Sequence, residues 1–217
     1  GGGGSGGGLR LATGSVDESV KLWSLPPSSD GDDGGAKKGG APTLTCEHEL
    51  GGHHLGVVSV AASPDGSQLA ATSMDSVIRL WTAEGVSLGR DIDAPPVEAW
   101  SAAWHPRADA AQLATGSQDG RVNLWDARTG AKAASLETHG KFVLSVAYSP
   151  DGHQLACGAE DGAVYIFDVA AGALLNKLQG HTMAVRSVAF TADGAAVVSA
   201  SDDGRCNLWD ASAGGGG

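Results

Sequence analysis

Five aspartates in this 217-residue chain stand six positions ahead of an aromatic residue: Asp17 before Trp23, Asp75 before Trp81, Asp119 before Trp125, Asp161 before Phe167 and Asp203 before Trp209. The last three aspartates follow their predecessors by 44, 42 and 42 residues. Three histidines keep the same phase, because His53, His139 and His181 each precede their aspartate by 22 residues. A fixed period of this length means that one supersecondary unit recurs and buries its apolar residues against its neighbours. The stretch Gly180 to Asp210 shows the unit: an apolar run (Val185 to Phe190), a turn (Thr191 to Gly194), a second run (Ala195 to Ala200), an Asp-Gly turn and a third run ending at Trp209. Apolar runs separated by turn residues predict an antiparallel meander.

A period of about 40–45 residues with Gly-His and Trp-Asp marks is that of the WD-repeat β-propeller. The expected fold is therefore all-β, an incomplete WD40 propeller of about five of seven four-stranded blades. The count is 18 strands: three in blade one, twelve in blades two to four and three in blade five. Inner strands such as Val57 to Ala61 and Val143 to Tyr148 are apolar on both faces, as a sheet sandwiched between neighbours requires. Ser63-Pro64-Asp65-Gly66 and Ser149-Pro150-Asp151-Gly152 supply hairpin turns, with Pro presetting one dihedral and Gly accepting positive φ. Residues 1–8 read as a Gly-rich linker, 9–211 as the partial propeller and 212–217 as a Gly-rich tail. Pro26 to Pro42, rich in Pro, Ser, Asp and Gly, reads as a disordered insert in blade one. Blade one lacks its inner strand, so an open arc is expected. Leu9 to Ala12 should be exposed on blade one, and Val185, Val188, Val197 and Leu208 on blade five. Such edges predict poor solubility.

The formal charge of −11 repels phosphate backbones and disfavours direct nucleic-acid binding, and Lys37-Lys38 stands alone beside Asp30, Asp32 and Asp33. Cys46, Cys157 and Cys206 are odd in number and widely spaced, which points to a reducing compartment without a disulfide framework. No apolar run reaches membrane-spanning length, and the N-terminal residues carry no signal-peptide core.

Each complete repeat gathers the same polar set: His53, Ser73, Asp75 and Trp81 in blade two, and His181, Ser201, Asp203 and Trp209 in blade five. A Ser-His-Asp set invites a hydrolase reading. Repetition with gaps opposes it: blade three has Pro95 in place of His, and blade four has Ala159 and Phe167 in place of Ser and Trp. The expected role is structural. The Asp caps its turn and holds the imidazole, the imidazole meets the Ser hydroxyl, and the hydroxyl meets the indole N–H. Cys46 with His48 lacks a second pair at metal-ligand spacing. Gly1 to Gly8 lacks the strand-loop-helix setting of a phosphate loop, and Asp30 to Asp33 lacks the calcium-loop pattern. No catalytic, cofactor or metal residues are expected.

WD-repeat propellers bind chiefly through the face where the Gly-His loops enter the inner strands. Their geometry implies three positions per blade there. In this chain these are Gly56, Val58 and Met74; Glu98, Trp100 and Gln118; Phe142, Leu144 and Glu160; Ala184, Arg186 and Asp202. Trp100, Phe142, Leu144, Val58 and Met74 would make an apolar patch ringed by Glu98, Glu160, Arg186 and Asp202, the make-up of a peptide hot spot. The competing reading places Phe142 and Leu144, and even Trp100, in the blade core.

Several stretches go beyond the generic repeat: GGHHLGVVSV (51–60), DIDAPPVEAW (91–100), GKFVLSVAYSPDG (140–152) and GHTMAVRSVAF (180–190). Over roughly residues 9–210 the chain resembles blades one to five of the family of WD-repeat subunits shared by the superkiller complex and the RNA polymerase II-associated factor (Paf) complex. That resemblance implies a seven-bladed, non-catalytic scaffold in messenger-RNA decay and transcription elongation, present in nucleus and cytoplasm. The implied partners are the helical-repeat and helicase subunits of the superkiller complex and the Paf subunits, with no cofactor, nucleic acid or membrane. The chain departs from the family by glycines in place of the first inner strand and by the absence of two blades. The alternative is a generic WD40 scaffold or the substrate receptor of another assembly such as a ubiquitin ligase.

Overall fold

The structure, a computed structural model, describes residues 9–25, 43–95, 99–139 and 141–211. The N-terminal glycines, the insert at 26–42, Glu98 and the tail at 212–217 lie outside the described residues. Blade one is β1 (Arg10–Gly14), β2 (Val20–Ser24) and β3 (Thr45–Leu50). Blade two is β4 (Val57–Ala62), β5 (Gln68–Ser73), β6 (Val77–Thr82) and β7 (Ile92–Asp93). Blade three is β8 (Ala102–Trp104), β9 (Gln112–Gly116), β10 (Arg121–Asp126) and β11 (Lys132–Glu137). Blade four is β12 (Val143–Tyr148), β13 (Gln154–Ala159), β14 (Ala163–Asp168) and β15 (Ala173–Gln179). Blade five is β16 (Val185–Phe190), β17 (Ala196–Ser201) and β18 (Cys206–Asp210). The described residues thus hold the 18 expected strands in five antiparallel meanders of three or four strands, with no closed sheet. One short 3-10 turn, Ala108–Ala110, interrupts blade three.

The core is a series of seams between blades. Strand alternation sends Leu155, Cys157, Tyr165 and Phe167 of blade four toward Leu124 and Leu136 of blade three. The intervening Ala156, Val164 and Ile166 meet Val185, Val188 and Val197 of blade five. Both faces of a middle blade are therefore dry, which is why its strands read as continuous apolar runs. Close approach at a seam needs a missing side chain. A Cβ at Gly116 would lie 2.7 Å from the carbonyl oxygen of Val143, and one at Gly158 would lie 2.6 Å from Cγ1 of Val185. In blade two the same position is Thr72, fully buried, whose hydroxyl donates to the Trp100 carbonyl at 3.0 Å.

The expected exposure of blade five is corrected at three of its four residues. Leu208 is 70% exposed, but Val185, Val188 and Val197 are buried against blade four. The β-bulge between Val185 and Ser187 and the two-residue alternation put the valines on the inner side, and Ala189, Val198, Cys206 and Leu208 on the open one. On blade one, Leu9 and Leu11 are exposed as expected, while Ala12 turns to pack on blade two.

Candidate functional site

The repeated polar set is structural in its geometry, but its serine is not the expected one. In blade five, Trp209 Nε1 donates to Ser199 Oγ at 2.7 Å, and the same oxygen lies 2.7 Å from His181 Nε2. His181 Nδ1 lies 2.9 Å from Asp203 Oδ2. Asp203 also accepts the backbone N–H groups of Thr182 (3.0 Å) and Arg205 (2.9 Å). Burial works against the Asp203 carboxylate, but those N–H groups and His181 outweigh it and hold its pKa at about 2. Ser201, two residues along, donates to the Met183 carbonyl at 2.9 Å and accepts the Asp203 N–H at 3.2 Å. Ser73 repeats that local role on Leu55 (2.7 Å) and Asp75 (3.2 Å). Ser201 and Ser73 therefore brace the loop, and the tetrad hydroxyl belongs two positions earlier, where the strand places a side chain diagonal to the tryptophan. Trp23 and Trp125 confirm this register, donating to Thr13 (2.9 Å) and Thr115 (2.8 Å).

This register exposes two departures. Blade two has Ala71 at the hydroxyl position, so Trp81 and His53 have no oxygen there, and His53 Nε2 is buried without a partner. Asp75 Oδ2 instead takes Arg79 at 2.9 Å, with His53 Nδ1 at 3.4 Å. Blade four exchanges both members at once: buried Cys157 faces Phe167, and no donor or acceptor is stranded. Its Asp161 accepts the Tyr165 hydroxyl at 2.9 Å rather than pairing with His139, which is exposed with φ of 63°.

Two stability results follow. Ser199→Ala strands the buried His181 ring and should cost about 1–3 kcal/mol; Ser201→Ala, at a partly exposed site, should cost less. Denaturant melts of the two variants check the order. Ala71→Ser supplies the oxygen that His53 lacks and should add about 0.5–1.5 kcal/mol, read as a raised urea midpoint with an unchanged slope.

The set offers no hydrolytic nucleophile, since Ser199, the serine that touches a histidine, is 1% exposed and lies against Trp209.

On the face carrying the histidine loops and aspartate turns, Trp100 and Phe142 meet edge to face, with ring centroids 5.1 Å apart and planes at 76°. Both are half-buried. Two adjoining hollows share Leu144 and Arg186. One, of about 260 Å³, is lined by Val58 and Trp100. The other, of about 470 Å³, is lined by Phe142, Glu160, Met183 and Asp202. Seven of the ten expected residues are thereby contiguous. Leu144 is only 8% exposed and, at the β-bulge between Val143 and Ser145, forms the shared floor of both hollows rather than an exposed part of the surface. Met74 and Gln118 are exposed on their turns and line neither hollow. Glu98 lies outside the described residues. Asp202 grips Arg186, with Oδ2 2.8 Å from Arg186 NH2. Asp202 raises the guanidinium's pKa further and holds its charge in place. The rim left over is acidic, at Glu160.

Sequence reasoning missed three exposed apolar residues of this face: Met183 (53%), Leu55 (49%) and Val16 (83%). Met183 and Leu55 each follow a tetrad histidine by two residues, and Val16 precedes the turn Asp17 just as Met74 precedes Asp75. That repeat position was the available signal.

Comparison with known proteins agrees with this architecture. The chain is 37% identical over 142 residues to the WD repeat-containing protein SL1-17 of Schistosoma mansoni, covering 65% of this chain and 42% of that protein. It is 36% identical over 155 residues to the WD repeat-containing protein VIP3 of Arabidopsis thaliana, covering 65% of this chain and 43% of that protein. It is 32% identical over 146 residues to the meiotic recombination protein rec14 of Schizosaccharomyces pombe, covering 66% of this chain and 43% of that protein. The chain thus spans less than half the length of the relatives it matches. Such WD40 propellers generally mediate protein interactions and are generally non-catalytic. Residues 63–216 match the β-propeller family described as "Nucleolar protein 10-like, N-terminal domain", and with its repeated blades the chain belongs to that family of WD-repeat propellers.

Proposed function

We propose that the chain is a non-catalytic interaction module that takes short peptide segments of its partners on the Trp100–Phe142 face. The observation that carries this is the edge-to-face aromatic pair, half-exposed above the Leu144 floor and rimmed by Glu160, Arg186 and Asp202. A rigid aromatic anchor inside a polar rim is where interface energy concentrates. The partners we assign are the helical-repeat and helicase subunits of the superkiller complex and subunits of the Paf complex, met in cytoplasm and nucleus. The support is the resemblance of the stretches 51–60, 91–100, 140–152 and 180–190. Direct nucleic-acid binding is not part of the proposal, because the chain carries a charge of −11.

A second reading, a scaffold in ribosome assembly, is favoured by the nucleolar description of the family and by 29% identity over 160 residues to the ribosome biogenesis protein WDR12 homolog of Ixodes scapularis. Calorimetric titration of the purified chain with tiled peptides separates the readings. Peptides from the superkiller helical-repeat subunit and the Paf subunits are expected to bind. Binding by ribosome-assembly peptides or ubiquitin-ligase adaptor peptides alone would overturn the assignment of partners.

A further inference from the structure

Blades two and five carry the same histidine–aspartate pair with different third partners. The difference decides what each blade does with a proton. In blade five the residue four after the aspartate is Asn207, and the His181 ring has an acceptor on either side. Asp203 lies 2.9 Å from Nδ1, and the Ser199 hydroxyl, free to turn, lies 2.7 Å from Nε2.

In blade two the position of Asn207 is taken by Arg79, which is 9% exposed. Its NH1 lies 2.7 Å from His53 Nδ1 and 2.9 Å from Asp75 Oδ2, and its Nε lies 3.6 Å from Asp91. A guanidinium only donates. Nδ1 of His53 is therefore the acceptor, and the ring carries its single proton on Nε2, which is buried without a partner. The charged groups facing the ring are Arg79 on β6, Asp75 in the turn before it, and Asp91 ahead of β7. The aspartates favour a second proton. Burial first, and Arg79 second, oppose it and prevail, so the basicity of His53 falls below the ordinary histidine range.

We propose that blade two is an acid-sensitive latch: a proton on Nδ1 of His53 replaces the Arg79 hydrogen bond with two opposed N–H groups and releases the loop 53–56. That loop is tied down by the His54 N–H on Asp75 (3.0 Å), by the Leu55 carbonyl on Ser73 (2.7 Å) and by the Gly56 carbonyl on the Met74 N–H (3.1 Å), so loosening Asp75 releases the first tie and loosens the turn 73–76 that carries the other two. The sign follows from the folded ring being the weaker base. The closed blade holds fewer protons than the open one, so its stability is full above the unfolded histidine value of about 6.5 and falls as pH drops below it. Opening becomes about tenfold more frequent per pH unit, down to the folded value. The latch does not depend on peptide binding, although loop 53–56 carries Leu55 on the same face.

The test is native-state hydrogen exchange on the full chain between pH 7.5 and 5. It compares the Val77 and His54 amides, held by Asp75, with the Arg205 and Thr182 amides, held by Asp203, in one sample. The ratio of protection in blade two to that in blade five should fall as pH drops below 6.5, by up to about tenfold per unit. Arg79→Asn combined with Ala71→Ser, which gives blade two both partners that blade five has, should make the ratio flat. If that variant does not fold, His53→Gln keeps an acceptor for Arg79, cannot titrate, and should give the same flat ratio. A wild-type ratio that holds constant to pH 5 overturns the latch, and so do equal slopes in the wild type and the folded variants.

Discussion

Phe167→Ala is expected to remove about 3–5 kcal/mol of folding free energy. Phe167 is 1% exposed and sits across from Leu155 on β13, in the seam that joins blades three and four. It holds the place that a tryptophan holds in the other blades, yet its neighbour at the hydroxyl position is Cys157, whose thiol is pushed well up by burial. This blade replaced a polar pair by an apolar one, so its stability there rests on packing alone. The truncation leaves a cavity walled by strands locked in two seams, which cannot collapse into it. Chemical denaturation followed by tryptophan fluorescence checks the result. A loss under about 1 kcal/mol would mean that the seam relaxes freely.

Trp100→Ala is expected to weaken binding of a partner peptide by about 2 kcal/mol or more, close to thirtyfold, while changing stability little. The indole is half-buried, and its edge-to-face partner Phe142 retains the Leu144 floor beneath it. The binding loss is read by titration and the stability by thermal melting of the same sample. A large fall in melting temperature with the affinity unchanged would place Trp100 in the core instead.

Most of the fold was legible because turn chemistry recurs in phase. The Asp-Gly turns and the tryptophans fixed where each strand ends, and all 18 strands among the described residues lie in the expected blades. What the pattern did not carry was which side of a strand faces which neighbour. A half-exposed outer blade has apolar residues on both faces, so Val185, Val188 and Val197 could not be told from Ala189, Val198 and Leu208 by composition. Only the bulge at Val185 and Ser187 settles it. The tetrad serine was misplaced for a related reason. Ser199 and Ser201 lie on the same face of one strand, and only the reach of Trp209 to its diagonal neighbour selects Ser199. Blade two hid its departure in plain sight, since Ala71 reads as ordinary core until the equivalent Ser199 and Thr115 are seen to hold a tryptophan. On the candidate face, positions counted from the histidine located the aromatic pair. They omitted Met183 and Leu55, because the loop residues two after the histidine project outward rather than into the strand.

The most direct test of the account is amide chemical-shift mapping of the chain as a superkiller helical-repeat or Paf peptide is added. Shifts are expected to concentrate on Trp100, Phe142, Leu144, Met183 and Arg186, extend to Met74 and Gln118, and disappear in Trp100→Ala. Shifts confined to the outer strands β3, β11 and β15, with the Trp100–Phe142 face silent, would contradict it.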